Sequence, residues 1–451
     1  MFRTYQIQIK KGHKLYDYFT NISLLTNNLF NTTNYYYRQI ISGYNNSFSQ
    51  PNQQEIFTTV NDYLKLKDKE LFNKEEISYL NYNLLDGIFK TNKNIDYYAL
   101  PSHVNQQTMK EVHQNYKSFY NSSKKYFADK TNFTGKPKLP KYAKPNSLKT
   151  MTFTNQVCVI KDNKYLRFPK TKFKLNVGKL VSLKDSTLKE VRVKPHHNVF
   201  TIELILDIIK PVIELKEIST NIIGIDLGVN NFATITNNAG KQPFIINGKS
   251  IKSMNQYYNK QKAYLTAALR NGLQENEGIH FSKKLNKLTL KRQNKINDFM
   301  HKASHNILDY CVKNHIDTVV IGNNKNNKQN SNMGKRNNQN FVSIPFALFI
   351  KKLKYKLEEQ GIKLIETEES YTSKSSFIDN DELPKYKKGN LKDYIFSGKR
   401  IKRGLYKSKY GILINADCNG SANIIRKVFS DAFLGKGNRG VMDTPIVVNV
   451  L

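Results

Sequence analysis

A buried strand that ends on an acid constrains this 451-residue chain more than any other feature. Residues 222–236 read IIGIDLGVNNFATIT. Ile222, Ile223 and Ile225 predict a short buried strand. It closes on Asp226, Gly228 permits a tight turn, and residues 232–236 return as a second strand. A carboxylate at the mouth of a buried strand costs free energy unless something pairs it. A divalent metal is the natural partner, since hard cations prefer oxygen ligands. A turn-capping aspartate is the plain alternative.

Charge narrows the partner. Lys and Arg number 72 against 36 Asp and Glu, a formal net charge of +36. That excess points to a polyanion, with a membrane surface as the other option. No apolar run is long enough to span a bilayer and no secretory pattern is present, so a cytoplasmic, nucleoid-associated protein with no membrane partner is expected. The chain has 27 Tyr and 25 Phe but no Trp, and aromatics among basic residues suit base stacking and phosphate neutralisation. A/T-biased coding would also favour Lys and Tyr, but it does not account for the shortage of acids. Cys158, Cys311 and Cys418 form no CxxC pair, so neither a zinc site nor a disulfide framework is expected. His301 and His305 share helical spacing but lack further ligands, and read as structural or phosphate-facing.

Along the chain, residues 4–10 alternate as a strand with Tyr5, Ile7 and Ile9 on one face. A helical pattern runs from Leu15 to about Tyr120, with Ser102 as a candidate N-cap for its last helix. Residues 135–149, GKPKLPKYAKPNSLK, form a basic linker whose Lys136, Lys138 and Lys141 would lie along phosphates; a solvated connector is the alternative. Strands resume from residue 152 and belong to a small β domain, which the first strand could complete around the inserted helices. From residue 221 the order is three strands, a helical region near 253–314, a strand at 318–321, a helix from Pro345, a strand at 363–367 and a helix from Asn415. That is the order of a ribonuclease H-like fold, although order alone fits any α/β domain.

Several motifs then fall into place: GIDLG around Asp226, NNQNFVSIPF from Asn337, LKYK from Leu353, YTSKSS from Tyr371, and NADCNGSANI from Asn415. Together they resemble the TnpB family, insertion-sequence-encoded RNA-guided DNA endonucleases related to type V CRISPR effectors. The resemblance is specific over 221–427 and weaker in YALPSHVNQQ (98–107) and KPKLPKY (136–142). It implies an α/β plus β architecture: a ribonuclease H-like RuvC domain and a wedge β-barrel with an inserted helical recognition domain. The expected boundaries are 1–12 and 150–215 for the wedge and 13–149 for recognition. RuvC takes 216–369 and 413–430, a nucleic-acid-binding insert 370–412, and a C-terminal tail 431–451. It implies a guide RNA from the chain's own locus and target double-stranded DNA as partners of a monomer, and Mg²⁺ or Mn²⁺ as cofactor.

Two-metal phosphodiester hydrolysis needs several carboxylates around ions about 3.5–4 Å apart. Asp226 and Asp417 supply two of them. The family's usual second acid follows strand four, where this chain has Val319-Val320-Ile321-Gly322. Either the nuclease is inactive or another acid takes that place. Strand five ends in Glu366-Thr367-Glu368-Glu369, and a parallel neighbour lies about 4.8 Å away. Glu369 is therefore the expected third catalytic and metal-binding residue, with Glu368 as second choice. The family's zinc-finger cysteines are absent between YTS and Asp417; a basic loop with Lys399, Arg400, Lys402 and Arg403 stands there and is expected to touch nucleic acid. A nuclease-dead guided repressor, a compact type V effector and a structural RNA-binding protein are the alternative readings.

Overall fold

The computed structural model describes residues 2–178, 186–209, 213, 215, 219–274, 277–323, 334–386, 393–434 and 444–450. The chain divides into two compact units, Met1–Lys210 and Pro211–Leu451.

In the first unit, strand β1 (Phe2–Lys10) pairs antiparallel along its whole length with β7 (Val199–Ile208). The two ends of the unit are thus neighbours, and everything between is inserted. The helices α1 (Tyr16–Asn45), α2 (Pro51–Leu66), α3 (Tyr82–Thr91), α4 (Ile95–Ala99) and α5 (Val104–Ala128) come first. Strands β2 (Met151–Thr154), β3 (Val159–Lys161), β4 (Tyr165–Arg167), β5 (Lys174–Asn176) and β6 (Ser186–His196) follow. One antiparallel sheet has the order β1-β7-β6-β2, and β3-β4-β5 form a smaller one. Phe19, Ile22, Leu29, Phe30, Tyr37 and Ile40 recur at helical spacing on α1 and are buried in one core with Ile202, Leu204 and Phe153 of the larger sheet.

Two expectations change here. Ser102 does not cap α5; the cap is His103, in the left-handed region at φ 68°, with no side-chain cap bond. The Pro101 carbonyl takes the first helical N–H groups instead. The 135–149 segment is also more than a connector. Asn27, Asn31 and Arg38 of α1 donate to the backbone carbonyls of Lys144, Ala143 and Pro140 at 2.9, 3.0 and 2.8 Å. Ser23 exchanges hydrogen bonds with Lys149. Proline-rich backbone that cannot pair with itself is thereby satisfied by helix side chains.

The second unit is built on strands β8 (Ile222–Leu227), β9 (Asn231–Asn237) and β10 (Phe244–Asn247), then helices α6 (Lys249–Arg270) and α7 (Lys283–Lys313). Strand β11 (Thr318–Gly322), helices α8 (Lys335–Val342) and α9 (Phe346–Glu358) and strand β12 (Lys363–Thr367) follow. Strands β13 (Lys399–Lys402), β14 (Leu405–Lys407) and β15 (Leu413–Asn415) form a separate antiparallel sheet. Helix α10 (Ala416–Val428) and strand β16 (Ile446–Val448) complete the unit. The main sheet has the order β12-β11-β8-β9-β10-β16, parallel across β12-β11-β8 and antiparallel across β8-β9-β10. Of the expected tail, residues 435–443 and 451 lie outside the described residues; β16 adds an edge strand parallel to β10. Three residues carry too little periodicity to be read as a strand. Among the described residues, no helix is long and apolar enough to cross a membrane.

Candidate active site

Three elements bring acids to one edge of the main sheet. Strands β8, β11 and β12 run parallel, with Ile321 beside Ile225 and Gly322 beside Thr367. Asp226 leaves β8 at that edge, and Glu369 lies two residues beyond the end of β12. Asp417 is the second residue of α10, which Asn415 caps by accepting from the Asp417 and Cys418 N–H groups. Helix α10 sits directly on β8, because Gly224 leaves room for the Ser421 carbonyl. Ser421 Oγ donates to the Gly224 carbonyl at 2.8 Å.

Gly322 leaves room for the Glu369 side chain. A Cβ there would lie 2.5 Å from Glu369 Oε1 and 2.6 Å from its Cγ. The Glu369 side chain thus fills the space that a side chain on Gly322 would take. Gly420 does the same for Asp226: a Cβ on it would lie 3.0 Å from Asp226 Oδ2.

The electrostatics are those of crowded carboxylates. Burial raises the Asp226 carboxyl well above the ordinary range; the charges of Glu369 and Asp417 add to this, and Arg400 opposes it. Burial, then the charge of Glu368, lifts Glu369 to about 7. Asp417 is held from two sides. Asn231 Nδ2 donates to Oδ2 at 2.6 Å, and Arg400 pairs with Oδ1 at 3.1 Å. Among the described residues, no three His, Cys, Asp or Glu side chains stand close enough to hold a metal ion as placed. The donor set nevertheless suits a divalent cation: hard oxygen donors, charge repulsion that a cation would relieve, and partial burial.

Glu368, the second choice, faces elsewhere. Lys427 of α10, its side chain 3% exposed, forms an ion pair with Glu368 and donates to Ser370 Oγ and the Pro384 carbonyl at 3.1 and 3.2 Å. Glu366 is exposed and accepts from Asn323 at 2.8 Å. Lys399, Arg400 and Lys402 lie on exposed β13, with Arg403 exposed just beyond. Of these four, Arg400 reaches the acids. Lys136, Lys138 and Lys141 are exposed on the first unit's strapped segment. His301 and His305 do not converge: His301 Nε2 lies 2.7 Å from Lys352 Nζ, and His305 faces Asp309. The three cysteines are buried and unpaired by disulfides.

Sequence reasoning missed the supports. Asn231 orients Asp417, and α10 grips the loop after β12. Asn423 Nδ2 donates to the Thr372 and Ser375 carbonyls at 2.9 and 2.8 Å. Asn419 donates to Ser375 and accepts from the Phe377 N–H. The signal was available: residues 419, 423, 426 and 427 share one helix face and are all polar.

Residues 205–328 match the family OrfB_IS605, described as probable transposase, and residues 346–424 match the Cas12f1-like TNB domain. No curated protein matches the chain. Solved structures similar to it include a Cas12f1–sgRNA–target DNA complex at 15% identity and TM-score 0.32, covering 94% of this chain and 98% of that one. Another is a CRISPR–Cas12f ternary complex at 14% identity and TM-score 0.34, covering 87% and 80%. The similarity therefore lies in two segments, to the TnpB-like OrfB_IS605 transposases over 205–328 and to the Cas12f1-like TNB domain over 346–424.

Proposed function

We propose that this chain is an RNA-guided DNA endonuclease of the TnpB type, cutting duplex DNA beside a short target-adjacent motif with Mg²⁺ or Mn²⁺. The observation that carries the reading is the Glu369 carboxylate lying over Gly322, on the edge where Asp226 and Asp417 also end. On this reading the second unit's main sheet is the ribonuclease H-like RuvC domain, in pieces 216–369 and 413–430. Residues 370–412 form the target-contacting insert. The wedge takes 1–12 and 150–215, recognition 13–149, and 431–451 is the tail. A monomer holding a guide RNA from its own locus is the working species.

Asp226, Glu369 and Asp417 would hold the metal. When bound, two such ions activate a water and stabilise the leaving oxygen. Asn231 fixes the Asp417 carboxylate through its 2.6 Å hydrogen bond. Arg400, half exposed beside Asp417, offers a guanidinium to an approaching phosphate. Lys399, Lys402 and Arg403 extend that positive edge along the insert.

The test is guided cleavage of a matched duplex by the RNA-loaded chain. Losing one metal carboxylate misplaces the attacking water, and ~1 Å of misplacement costs on the order of a hundredfold in rate. Asp226→Ala, Glu369→Ala and Asp417→Ala should each abolish cleavage while guided binding persists; Glu368→Ala should retain most of it. Wild-type protein that binds its verified target and never cuts would make the chain a guided binder instead.

A further inference from the structure

The first unit contains a cavity of about 310 Å³ that the nuclease reading does not use. It lies between α1, α5 and the loop before α3, lined by Tyr37, Leu80, His113, Tyr116 and Tyr120, with Tyr79, Lys117 and Asn121 among its other walls. It opens to solvent on one side, and much of its lining is aromatic. Its depth is ordered by ring contacts. Tyr37 and Tyr116 stack at 4.5 Å and 13°, and both are buried. Tyr37 Oη lies 3.0 Å from His113 Nδ1, and Tyr116 donates to Asn34 at 2.6 Å. Burial, then the nearby Lys117, lowers the His113 pKa, so the ring is neutral at pH 7. A neutral imidazole bonded through Nδ1 to a tyrosyl hydroxyl has its second nitrogen left for a ligand.

The outer part differs. Tyr79, more than half exposed, meets Tyr120 edge-on at 4.8 Å. Lys117 and Asn121 are exposed one turn apart on α5. Lys110, Lys117 and Lys124 recur every seven residues, and all three are exposed on one line of that helix. A cavity floored by aromatic rings, edged with amide and imidazole groups and flanked by a lysine stripe matches a planar, hydrogen-bonding ring on a phosphate backbone.

We propose that this cavity takes an unpaired nucleobase of a single-stranded nucleic acid whose phosphates follow Lys110, Lys117 and Lys124. The base stacks against Tyr120 and Tyr79, and its polar edge meets His113 and Asn121. Base–aromatic stacking is worth roughly 1–3 kcal/mol per base and tolerates sequence, so the site needs an extruded or unpaired base rather than a particular one. The proposal does not depend on catalysis, and its test measures none.

The full-length chain, stripped of co-purified RNA, is irradiated with single-stranded DNA and RNA probes carrying 5-iodouracil, and the linked residues are mapped by mass spectrometry. Crosslinks should fall on Tyr79 or Tyr120. Tyr120→Leu should lower their yield at least tenfold, and Lys117→Ala should weaken capture of the same probe severalfold. An abasic competitor of equal length should displace the probe at least tenfold less well than an ordinary strand. The DNA and RNA arms show which strand supplies the base. Equal competition by the abasic strand would reduce the surface to a phosphate track and overturn the proposal. So would crosslinks confined to other residues. Circular dichroism of each variant, with unchanged melting, excludes misfolding as the cause.

Discussion

Gly322 and Glu369 occupy one space between them, and this makes the relocated acid testable at the level of two residues. Gly322→Ala places a Cβ against the Glu369 carboxylate and within 2.8 Å of Ile424 Cδ1. Overpacking of this kind costs about 1–3 kcal/mol. The glutamate must swing away, so cleavage should fall at least tenfold with a lowered melting temperature. Gly322→Glu alone meets the same block. Combined with Glu369→Ala it finds the space open, and the acid returns to strand four. The double variant should cut better than either single variant; a double variant as inactive as Glu369→Ala would show that the two positions are not interchangeable. His301 offers a second residue-level check, on stability. Burial and the neighbouring Lys352 and Lys356 depress its pKa to about 4. The unfolded chain therefore binds more protons between pH 6.5 and 4, and stability falls as pH drops through that window. His301→Gln should flatten the acid side of the melting-temperature profile there. An unchanged profile would mean that the imidazole titrates normally.

Helix α10 is the element that joins the site together. Its first turn carries Asp417, its Gly420 admits the Asp226 carboxylate, its backbone packs on Gly224 of β8, and its polar face holds the loop that carries Glu369. Lys427 matters most on that face, because it turns Glu368 away and leaves Glu369 to point over Gly322. Lys427→Met removes the cation from a half-exposed carboxylate, which costs about 1–3 kcal/mol. The loop should loosen, and half-maximal cleavage should need severalfold more Mg²⁺, while Lys427→Arg keeps the wild-type requirement. A Mg²⁺ dependence untouched by Lys427→Met would show that the loop is set without it. Much of this helix was legible in NADCNGSANI: the cap, the acid and the small residues. Its grip on the loop was not, because hydrogen bonds to backbone groups 42–51 residues away leave no periodic trace. The same limit hid β16 and the strapping of 135–149 to α1. The long strands and helices were readable because each buries a face at its own period, as β1 and α7 do.

At the scale of the whole chain, the charge excess sets how nucleic acid is held. Neutralising Z phosphates releases counterions, so log K falls with log salt at a slope of about −0.9Z on duplex DNA. A chain of net charge +36 stripped of RNA should bind any duplex, with affinity dropping on the order of 10³–10⁵ between 50 and 200 mM salt if six to ten phosphates are engaged. A bound guide would occupy much of that charge. Target binding by the loaded protein then depends chiefly on base pairing, and the protein contributes backbone contacts. Its salt slope for a matched duplex should be shallower than the slope of the stripped chain for a random one. The exposed lysines divide the effect further. Replacing Lys136, Lys138 and Lys141 together should cut the stripped chain's slope by up to about three units, whereas Lys402→Ala and Arg403→Ala should change the loaded complex. Equal slopes with and without RNA, measured on the same duplex, would mean that the guide and the target use separate surfaces and that the charge excess serves the DNA alone.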